Sequence, residues 1–239
     1  MYIINTVLLS HEFCQSLLKN FKVKINMPEV IINGPEGRLE GRYHPSKKAN
    51  APIALVLHAD PQFNGNMNAK ICYYLYHSFV RRGFSVLRFN FRGVGRSEGI
   101  YDSGIGELSD AASALDWLHT VNRDSPQVWI AGFSFGAWIG MQLLMRRPEI
   151  SGFLSVSPPA NLYDFSFLAP CPSSGLITQG TSDTIVTEDA VQKLVDKLKS
   201  QKGITIDYDK IEGASHFYEE HHKPLVQSID KYLTMRLGY

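Results

Sequence analysis

Residues 132–136 read Gly-Phe-Ser-Phe-Gly, and this G-x-S-x-G pattern is the feature that most narrows what the chain can fold into. A serine that attacks a carbonyl must project from a sharp turn between a strand and a helix. Glycines two residues to either side remove the Cβ atoms that would clash where the backbone closes in. Gly and Ser are also common in ordinary loops, so the flanking sequence has to decide whether this is a nucleophile elbow.

The flanks of the pentapeptide favour that interpretation. Residues 127–131 form a short run rich in β-branched and aromatic side chains, which predicts a buried strand. Residues 137–147 have almost no polar face, as expected for a helix buried against a sheet. Two arginines end that segment and Pro148 follows as a stop signal. The sequence therefore predicts strand, elbow and helix in the order that the chemistry needs.

A serine hydroxyl is a weak nucleophile until a base takes its proton, and a carboxylate usually orients that base. Asp183 stands in a turn after a predicted strand over residues 174–179. His216 stands in a turn after a predicted strand over residues 204–211. Each follows a strand, at the edge where open α/β sheets bind their ligands. The candidate catalytic residues are Ser134, Asp183 and His216.

Other histidines and acids have different predicted roles. His221 and His222 open the final helix and are expected at the surface, while His58 ends a strand and is expected to be a hydrogen-bonded structural residue. Asp164 follows the sixth predicted strand and competes with Asp183 for the acid, because some hydrolases place the carboxylate there. We favour Asp183.

The order serine, acid, histidine is that of the α/β-hydrolases. The chain resembles this family from about residue 28 to its end, in particular the small, lidless members related to dienelactone hydrolases. Three further segments, residues 57–61, 88–97 and 102–107, carry the resemblance. It implies an α/β-hydrolase fold, with a mostly parallel central sheet of about eight strands, helices on both faces and no large lid. It implies no metal or organic cofactor.

The resemblance also implies an oxyanion hole made of two backbone amides. The first belongs to Phe135, directly after the nucleophile. The second should come from the loop after the strand that ends at His58, where Pro61 has no N–H to give. Asp60 is therefore the second candidate, with Gln62 behind it. The Asp60 carboxylate would weaken the oxyanion hole if it pointed inward, and the alternative is that it points outward to solvent.

The order of elements predicts the rest of the sheet. A hairpin starts at Val30, and residues 53–58 and 85–89 are apolar strands separated by a helix near residues 68–82. Strands that alternate with helices give a mostly parallel sheet. The glycine-rich loop at residues 92–99 lacks the spacing of a nucleotide site and is interpreted as a structural turn. Contact of Arg92 or Arg96 with an anionic substrate group remains the alternative.

The segment between the sixth and seventh predicted strands is short. Residues 157–173 contain four prolines, which leaves no room for a large lid and predicts an open site. If this loop folds over the site, its apolar side chains would rim it, although loop packing is the more economical interpretation. These side chains are Tyr163, Phe165, Phe167 and Leu168.

Length and composition set the remaining bounds. With 239 residues and 44% hydrophobic content, residues 27–239 can form a single α/β-hydrolase domain around one core. Residues 1–26 do not match the family pattern. They are interpreted as an N-terminal extension, either translated from an upstream start codon or forming an amphipathic helix.

Charge, cysteine content and hydropathy exclude several classes of protein. A net charge of +1 without a long basic block argues against nucleic acid as a partner. Three cysteines without C-x-x-C spacing favour a reducing cytoplasm. No run reaches the roughly 18 apolar residues that span a bilayer. The expected partner is a small acyl substrate, and a homodimer stays open.

These observations predict a serine hydrolase that cleaves small acyl esters through an acyl-enzyme, as carboxylesterases do. A thioesterase, a lactone hydrolase or a peptidase would use the same three residues. A non-catalytic binding protein on the same fold is the contrasting class, since a fold alone does not fix a function.

Overall fold

The computed structural model describes residues 28–238, so the interpretation of residues 1–26 falls outside the described part of the chain. Its strands are β1 (Glu29–Gly34), β2 (Gly37–His44), β3 (Ile53–Leu57), β4 (Ser85–Phe89), β5 (Val128–Phe133), β6 (Ile150–Val156), β7 (Gly175–Gly180) and β8 (Ile206–Ile211). Its α-helices are α1 (Lys70–Val80), α2 (Ile105–Thr120), α3 (Phe135–Leu144), α4 (Glu188–Lys199) and α5 (His222–Leu237), and a single turn of 3-10 helix spans Pro61–Phe63.

The eight strands form one sheet in the order β1-β2-β4-β3-β5-β6-β7-β8. β1 and β2 are antiparallel, as predicted for the opening hairpin, and the six strands from β3 to β8 run parallel. Strands β3, β4, β5 and β7 are buried along their whole length, because helices cover both faces of the sheet. The predicted α/β-hydrolase fold is confirmed.

Two hydrophobic clusters hold the helices against the sheet. Helices α2, α3 and α4 pack on one face. Helices α1 and α5 pack on the other face, where the core includes Cys72 and Phe79. When helices cover both faces of a parallel sheet, only the strand ends and their loops remain accessible. Residues that are distant in the sequence can therefore form a site at the carboxyl edge, where β3, β5, β7 and β8 end.

The predicted boundary of one helix was wrong. The sequence pattern placed its start at residue 137, but α3 begins at Phe135, directly after Ser134. It ends at Leu144, before the basic pair, and a turn closes it with Arg146 N–H donating to Leu143 O at 2.9 Å. The sharp turn at Ser134 leads straight into the helix, so no loop residue separates the two.

The loop between β6 and β7 contains neither a helix nor a strand, which agrees with the prediction of no large lid. It is anchored to the second residue after α4, because Gln201 Nε2 donates to Leu168 O at 2.7 Å and Gln201 Oε1 accepts from Cys171 N–H at 2.7 Å. Phe165 and Leu168 are buried in the core and do not rim the site. For these two side chains, loop packing is the correct interpretation.

Within residues 28–238, no helix has the length and apolar content to cross a bilayer. The two cysteines in this range, Cys72 and Cys171, are both buried and unpaired. Burial raises the pKa of the Cys72 thiol to about 12, which makes it an inert core residue.

Arg92 and Asp110 form a buried ion pair beneath the glycine-rich loop. Arg92 Nη2 and Nε donate to the two Asp110 carboxylate oxygens at 2.8 Å and 3.0 Å, and Arg92 N–H adds a third bond at 3.0 Å. The guanidinium lies over Gly106, where a Cβ atom would fall 2.1 Å from it. Contact of Arg92 with an anionic substrate group is therefore ruled out. Arg96 pairs with Glu29 at 2.6 Å on the surface.

We predict that Asp110→Ala lowers the free energy of unfolding by about 3–5 kcal/mol, because it leaves the Arg92 guanidinium buried without a counter-charge. The measurement is urea denaturation. Asp116→Ala is the matched control on the same helix, since the Asp116 carboxylate pairs with Arg147 at 2.7 Å but is 64% exposed. Its loss should stay below about 1 kcal/mol. Equal losses in the two variants would contradict the assignment of Arg92 and Asp110 as a buried ion pair.

Candidate active site

Ser134 occupies the turn that the G-x-S-x-G pattern predicts. It lies between the last residue of β5 and the first residue of α3, with φ of 53° and ψ of −119°. A positive φ is unfavourable for a residue that carries a Cβ and persists only where the surroundings enforce it. One such constraint is the bond from Ser134 N–H to Val156 O at 2.9 Å, which ties the turn to the end of β6. The Ser134 side chain remains partly exposed.

The two glycines of the motif are required by close backbone contacts. A Cβ on Gly132 would lie 2.3 Å from Gly136 O. A Cβ on Gly136 would lie 2.4 Å from His58 O and 2.5 Å from Leu57 O. All three contacts are with backbone atoms, which cannot move aside as a flexible side chain can. The start of α3 is thus pressed against the end of β3.

We predict that Gly136→Ala destabilises the fold by about 3 kcal/mol or more, because the new methyl group collides with two carbonyl oxygens of β3 and its loop. Thermal or urea unfolding measures the change. Gly140→Ala is the control one turn further along α3, where a Cβ would meet its nearest atoms at 3.5 Å and helix propensity favours alanine. A Gly136→Ala protein as stable as the Gly140→Ala protein would disprove the close contact.

His216 and Asp183 lie together on the loops after β8 and β7. His216 Nδ1 and Asp183 Oδ2 are 2.7 Å apart, and both side chains are buried. The His216 ring is flanked by Phe133 at 5.0 Å and Phe217 at 5.2 Å. A carboxylate that accepts from Nδ1–H selects the tautomer whose Nε2 is free to take a proton. The pair has the arrangement of a general base and its orienting acid.

The Asp183 carboxylate is held by several further donors. Oδ1 accepts from Ile185 N–H at 2.9 Å and from Val186 N–H at 2.8 Å. Burial raises the pKa of this carboxyl, but the hydrogen bonds from His216 and from the two amides outweigh burial, and its pKa lies below the usual range. The carboxylate therefore stays ionised beside His216.

Gln179 is a site residue that the sequence interpretation missed. It is fully buried in β7, and its Nε2 donates to Asp183 Oδ2 at 3.1 Å, the same oxygen that contacts His216. Nε2 also donates to Val186 O at 2.7 Å, so the amide braces the turn that carries the acid. The available signal was a polar amide side chain at the last residue of the predicted strand, four residues before Asp183.

We predict a pH-dependent stability difference between the wild type and Asp183→Asn. The folded-state pKa of Asp183 is depressed, so its ionised form adds stability above its unfolded pKa of about 4, and this contribution is lost as the pH falls through the lower, folded pKa. Urea unfolding at a series of pH values from about 7 to about 3 should show the advantage of the wild type shrinking. A constant difference across that range would contradict the depressed pKa.

The competing acid, Asp164, is bonded elsewhere. Its carboxylate accepts from Ser166 N–H at 2.8 Å and from Ser166 Oγ at 2.6 Å, and it is exposed. These Ser166 bonds lower its pKa. His222, at the start of α5, stacks on Tyr74 with ring centroids 5.7 Å apart. Of the two acids that we considered, Asp183 is the one in contact with His216.

His58 is a structural residue, as its place in the sequence suggested. It is fully buried, with Nδ1 2.6 Å from Ala59 O and Nε2 accepting from Phe91 N–H at 3.0 Å. Burial lowers its pKa to about 4, although the bond to Ala59 O opposes the shift. The neutral ring thus joins the loop after β3 to the loop after β4 through one donated and one accepted hydrogen bond.

The loop after β3 carries the second oxyanion candidate. Gln62 N–H donates to Asp60 Oδ1 at 2.8 Å, so that amide is already used. In the described part of the chain the Asp60 N–H has no acceptor, and Phe135 N–H belongs to the first turn of α3, where amides lack intrahelical partners. The Asp60 side chain does not point out to solvent. It is 9% exposed, and Oδ2 accepts from the Tyr163 hydroxyl at 3.3 Å.

Three aromatic side chains, Phe135, Trp138 and Tyr163, lie next to this loop and form a surface that we call the aromatic wall. Tyr163 stacks on Trp138 with centroids 4.2 Å apart, and Phe135 lies 6.0 Å from Tyr163. Tyr163 and Trp138 are partly exposed. Tyr163, one of the four loop side chains that could rim the site, thus contacts Phe135, the residue after Ser134.

Comparison with known proteins places this chain among hydrolases. The model of the family described as X-Pro dipeptidyl-peptidase (S15 family) matches residues 41–234. The uncharacterised protein RP471 of Rickettsia prowazekii is 54% identical over 218 residues, which are 89% of this chain and 92% of that protein.

Two solved structures are similar in fold and sequence. One is ATU1826 of Agrobacterium tumefaciens, an α/β hydrolase of unknown function, with 59% identity and a TM-score of 0.87 over 88% of this chain and 97% of that one. The other is XC6422 of Xanthomonas campestris, an α/β serine hydrolase without a lid. It has 28% identity and a TM-score of 0.78 over 87% of this chain and 94% of that one.

Proposed function

Because the chain belongs to the S15 family of X-Pro dipeptidyl-peptidases and has the fold of the α/β serine hydrolases, we propose that it hydrolyses small acyl esters through an acyl-enzyme on Ser134. One observation carries the proposal. The His216–Asp183 pair, with its 2.7 Å contact, stands at the same edge of the sheet as a serine in a strained strand-to-helix turn. Such an arrangement activates a hydroxyl for acyl transfer.

The reaction follows from the roles of these groups. Ser134 Oγ attacks the acyl carbonyl carbon while His216 Nε2 takes the hydroxyl proton, and Asp183 stabilises the imidazolium that forms. The amides of Phe135 and Asp60 donate to the oxyanion. The intermediate collapses to an acyl-enzyme as His216 gives its proton to the leaving alcohol. A water molecule then attacks the acyl-enzyme while His216 takes its proton. The bond between the acyl carbon and Ser134 Oγ breaks as His216 gives this proton back to Oγ, which releases the carboxylic acid and restores the Ser134 hydroxyl.

The open approach to Ser134 supports a small or flexible acyl substrate. The loop between β6 and β7 is short and anchored, and the lidless XC6422 has a similar fold. An open site does not enclose a long acyl chain on all sides, so chain length should be set by the aromatic wall. A thioester or lactone would react through the same steps.

A peptidase is the second candidate, and the matching family model favours it, since that family is described as X-Pro dipeptidyl-peptidase. A peptidase differs from an esterase in the group that leaves. An amine leaves less readily than an alcohol and depends more on proton donation by His216. The two candidates therefore share every catalytic residue and differ in substrate.

The first test is hydrolysis of p-nitrophenyl esters from acetate to decanoate, run beside an X-Pro dipeptide p-nitroanilide. We expect ester turnover that falls by about 10³-fold or more in both Ser134→Ala and His216→Ala, because the triad acts as a unit. Ser109→Ala, an exposed serine on α2, is the matched control and should keep the wild-type rate.

Labelling by a fluorophosphonate completes the test. Stoichiometric labelling that is lost in Ser134→Ala would accompany the expected ester activity. Faster cleavage of the anilide than of any ester would favour the peptidase. Equal, low rates in all variants together with an unlabelled, folded protein would overturn the proposal. The chain would then be better interpreted as a non-catalytic binding protein.

A further inference from the structure

The Asp60 carboxylate is a buried negative charge without a counter-charge in the described part of the chain. It is 9% exposed and takes part in none of the ion pairs found among residues 28–238. Its donors are the Gln62 amide at 2.8 Å and the Tyr163 hydroxyl at a long 3.3 Å. The fully buried Asp110, in contrast, holds the Arg92 guanidinium at 2.8 Å. A carboxylate accepts about four hydrogen bonds, so Asp60 keeps unused acceptor capacity.

The surroundings of this carboxylate are aromatic. Tyr163 stacks on Trp138 at 4.2 Å, and Phe135 lies 6.0 Å from Tyr163 and 6.1 Å from Tyr101. Aromatic faces carry negative potential and attract organic cations that lie within about 6 Å of a ring centroid. A carboxylate set among such rings has the chemistry that binds an ammonium group.

This wall also adjoins the reacting centre. Phe135 follows Ser134 in the chain and contacts both Tyr101 and Tyr163. Ser134, Tyr101, Trp138 and Tyr163 are all partly exposed. His216, flanked by Phe133 and Phe217, must protonate the leaving group, which assigns the leaving group to that side. The acyl group is then left facing Phe135 and the loop of Asp60.

We propose that Asp60, Tyr101, Trp138 and Tyr163 form a cation subsite, which binds a positively charged organic group on the acyl part of the substrate. This inference rests on the proposed function, because it concerns the acyl group that Ser134 receives. An ammonium group bound there supplies the counter-charge that Asp60 lacks. Its N–H groups donate to Asp60 Oδ2, and its alkyl carbons pack on the Trp138 and Tyr163 rings.

The same contacts permit a different role, in which the Tyr163–Asp60 hydrogen bond only ties two loops together. The two roles differ in what each side chain must supply. A tether needs the Tyr163 hydroxyl as much as the Asp60 carboxylate. A cation subsite needs the charge of Asp60 and the ring of Tyr163, but not the Tyr163 hydroxyl.

The test compares kcat/KM for p-nitrophenyl esters of ω-amino acids with kcat/KM for the esters in which a methyl group replaces the ammonium, at several chain lengths. In the wild type we expect the cationic ester to be favoured by about tenfold or more at one length. Asp60→Asn should bring this ratio to about one. Tyr163→Phe and Asp164→Asn, an exposed carboxylate on the loop of Tyr163, should both keep the preference.

A wild-type ratio near one at every length would overturn the inference while the ester activity itself stood. A ratio near one in both Asp60→Asn and Tyr163→Phe would overturn the cation subsite in favour of the tether. Calorimetric titration of Ser134→Ala with hexylammonium and with hexanol gives a readout that needs no turnover. Hexylammonium should bind about tenfold more tightly, and equal binding would count against the subsite. If the protein bound hexylammonium more tightly than hexanol but showed neither fluorophosphonate labelling nor ester hydrolysis, the proposed function would be rejected and the cation subsite would stand.

If Asp60→Asn does not fold, the salt dependence of the wild-type titration decides. The preference for hexylammonium should weaken as ionic strength rises, because the attraction is electrostatic. A preference that does not change with salt would argue against the role of Asp60.

Discussion

The close approach of helix α3 to the end of strand β3 is the contact on which the candidate site depends. Gly136 meets the carbonyl oxygens of Leu57 and His58 at distances that exclude any Cβ atom. This contact holds Ser134 in its strained conformation and places the Phe135 amide beside the loop of Asp60. The proposed nucleophile and both proposed oxyanion donors thus come from one packed junction, whose geometry is fixed by backbone atoms and not by mobile side chains.

The other half of the site is built by a different device. Asp183 and His216 stand on loops after neighbouring parallel strands, so the sheet itself brings them within hydrogen-bonding distance. Gln179 then adds a buried amide that fixes the acid from within β7. A rigid sheet therefore supplies the coarse placement, and local hydrogen bonds to the carboxylate supply the fine orientation.

Sequence reasoning reached the fold and the pairing of Asp183 with His216, because these depend on local patterns that topology converts into proximity. The elbow pattern and the turns after β7 and β8 are such patterns. The Asp60–Tyr163 bond and the burial of Arg92 were out of reach, because both depend on how separate elements of the fold pack together. Gln179 lies only four residues before Asp183, but the direction of its amide depends on the packing around β7. Asp60 and Tyr163 are separated by 103 residues, and no spacing rule relates them. The start of α3 was misplaced because the turn at Ser134 needs no connecting residue.

The neutral imidazole of His58 makes this same junction sensitive to acid. Its folded-state pKa of about 4 lies below the ordinary value of 6.5, so the unfolded chain binds the extra proton more readily between these values. Stability contributed by His58 is therefore complete above about pH 6.5 and declines as the pH falls towards 4. Protonation would also remove the acceptor of the Phe91 amide and loosen the loop that carries Asp60. Acidification would then weaken the contact that supports the proposed oxyanion hole.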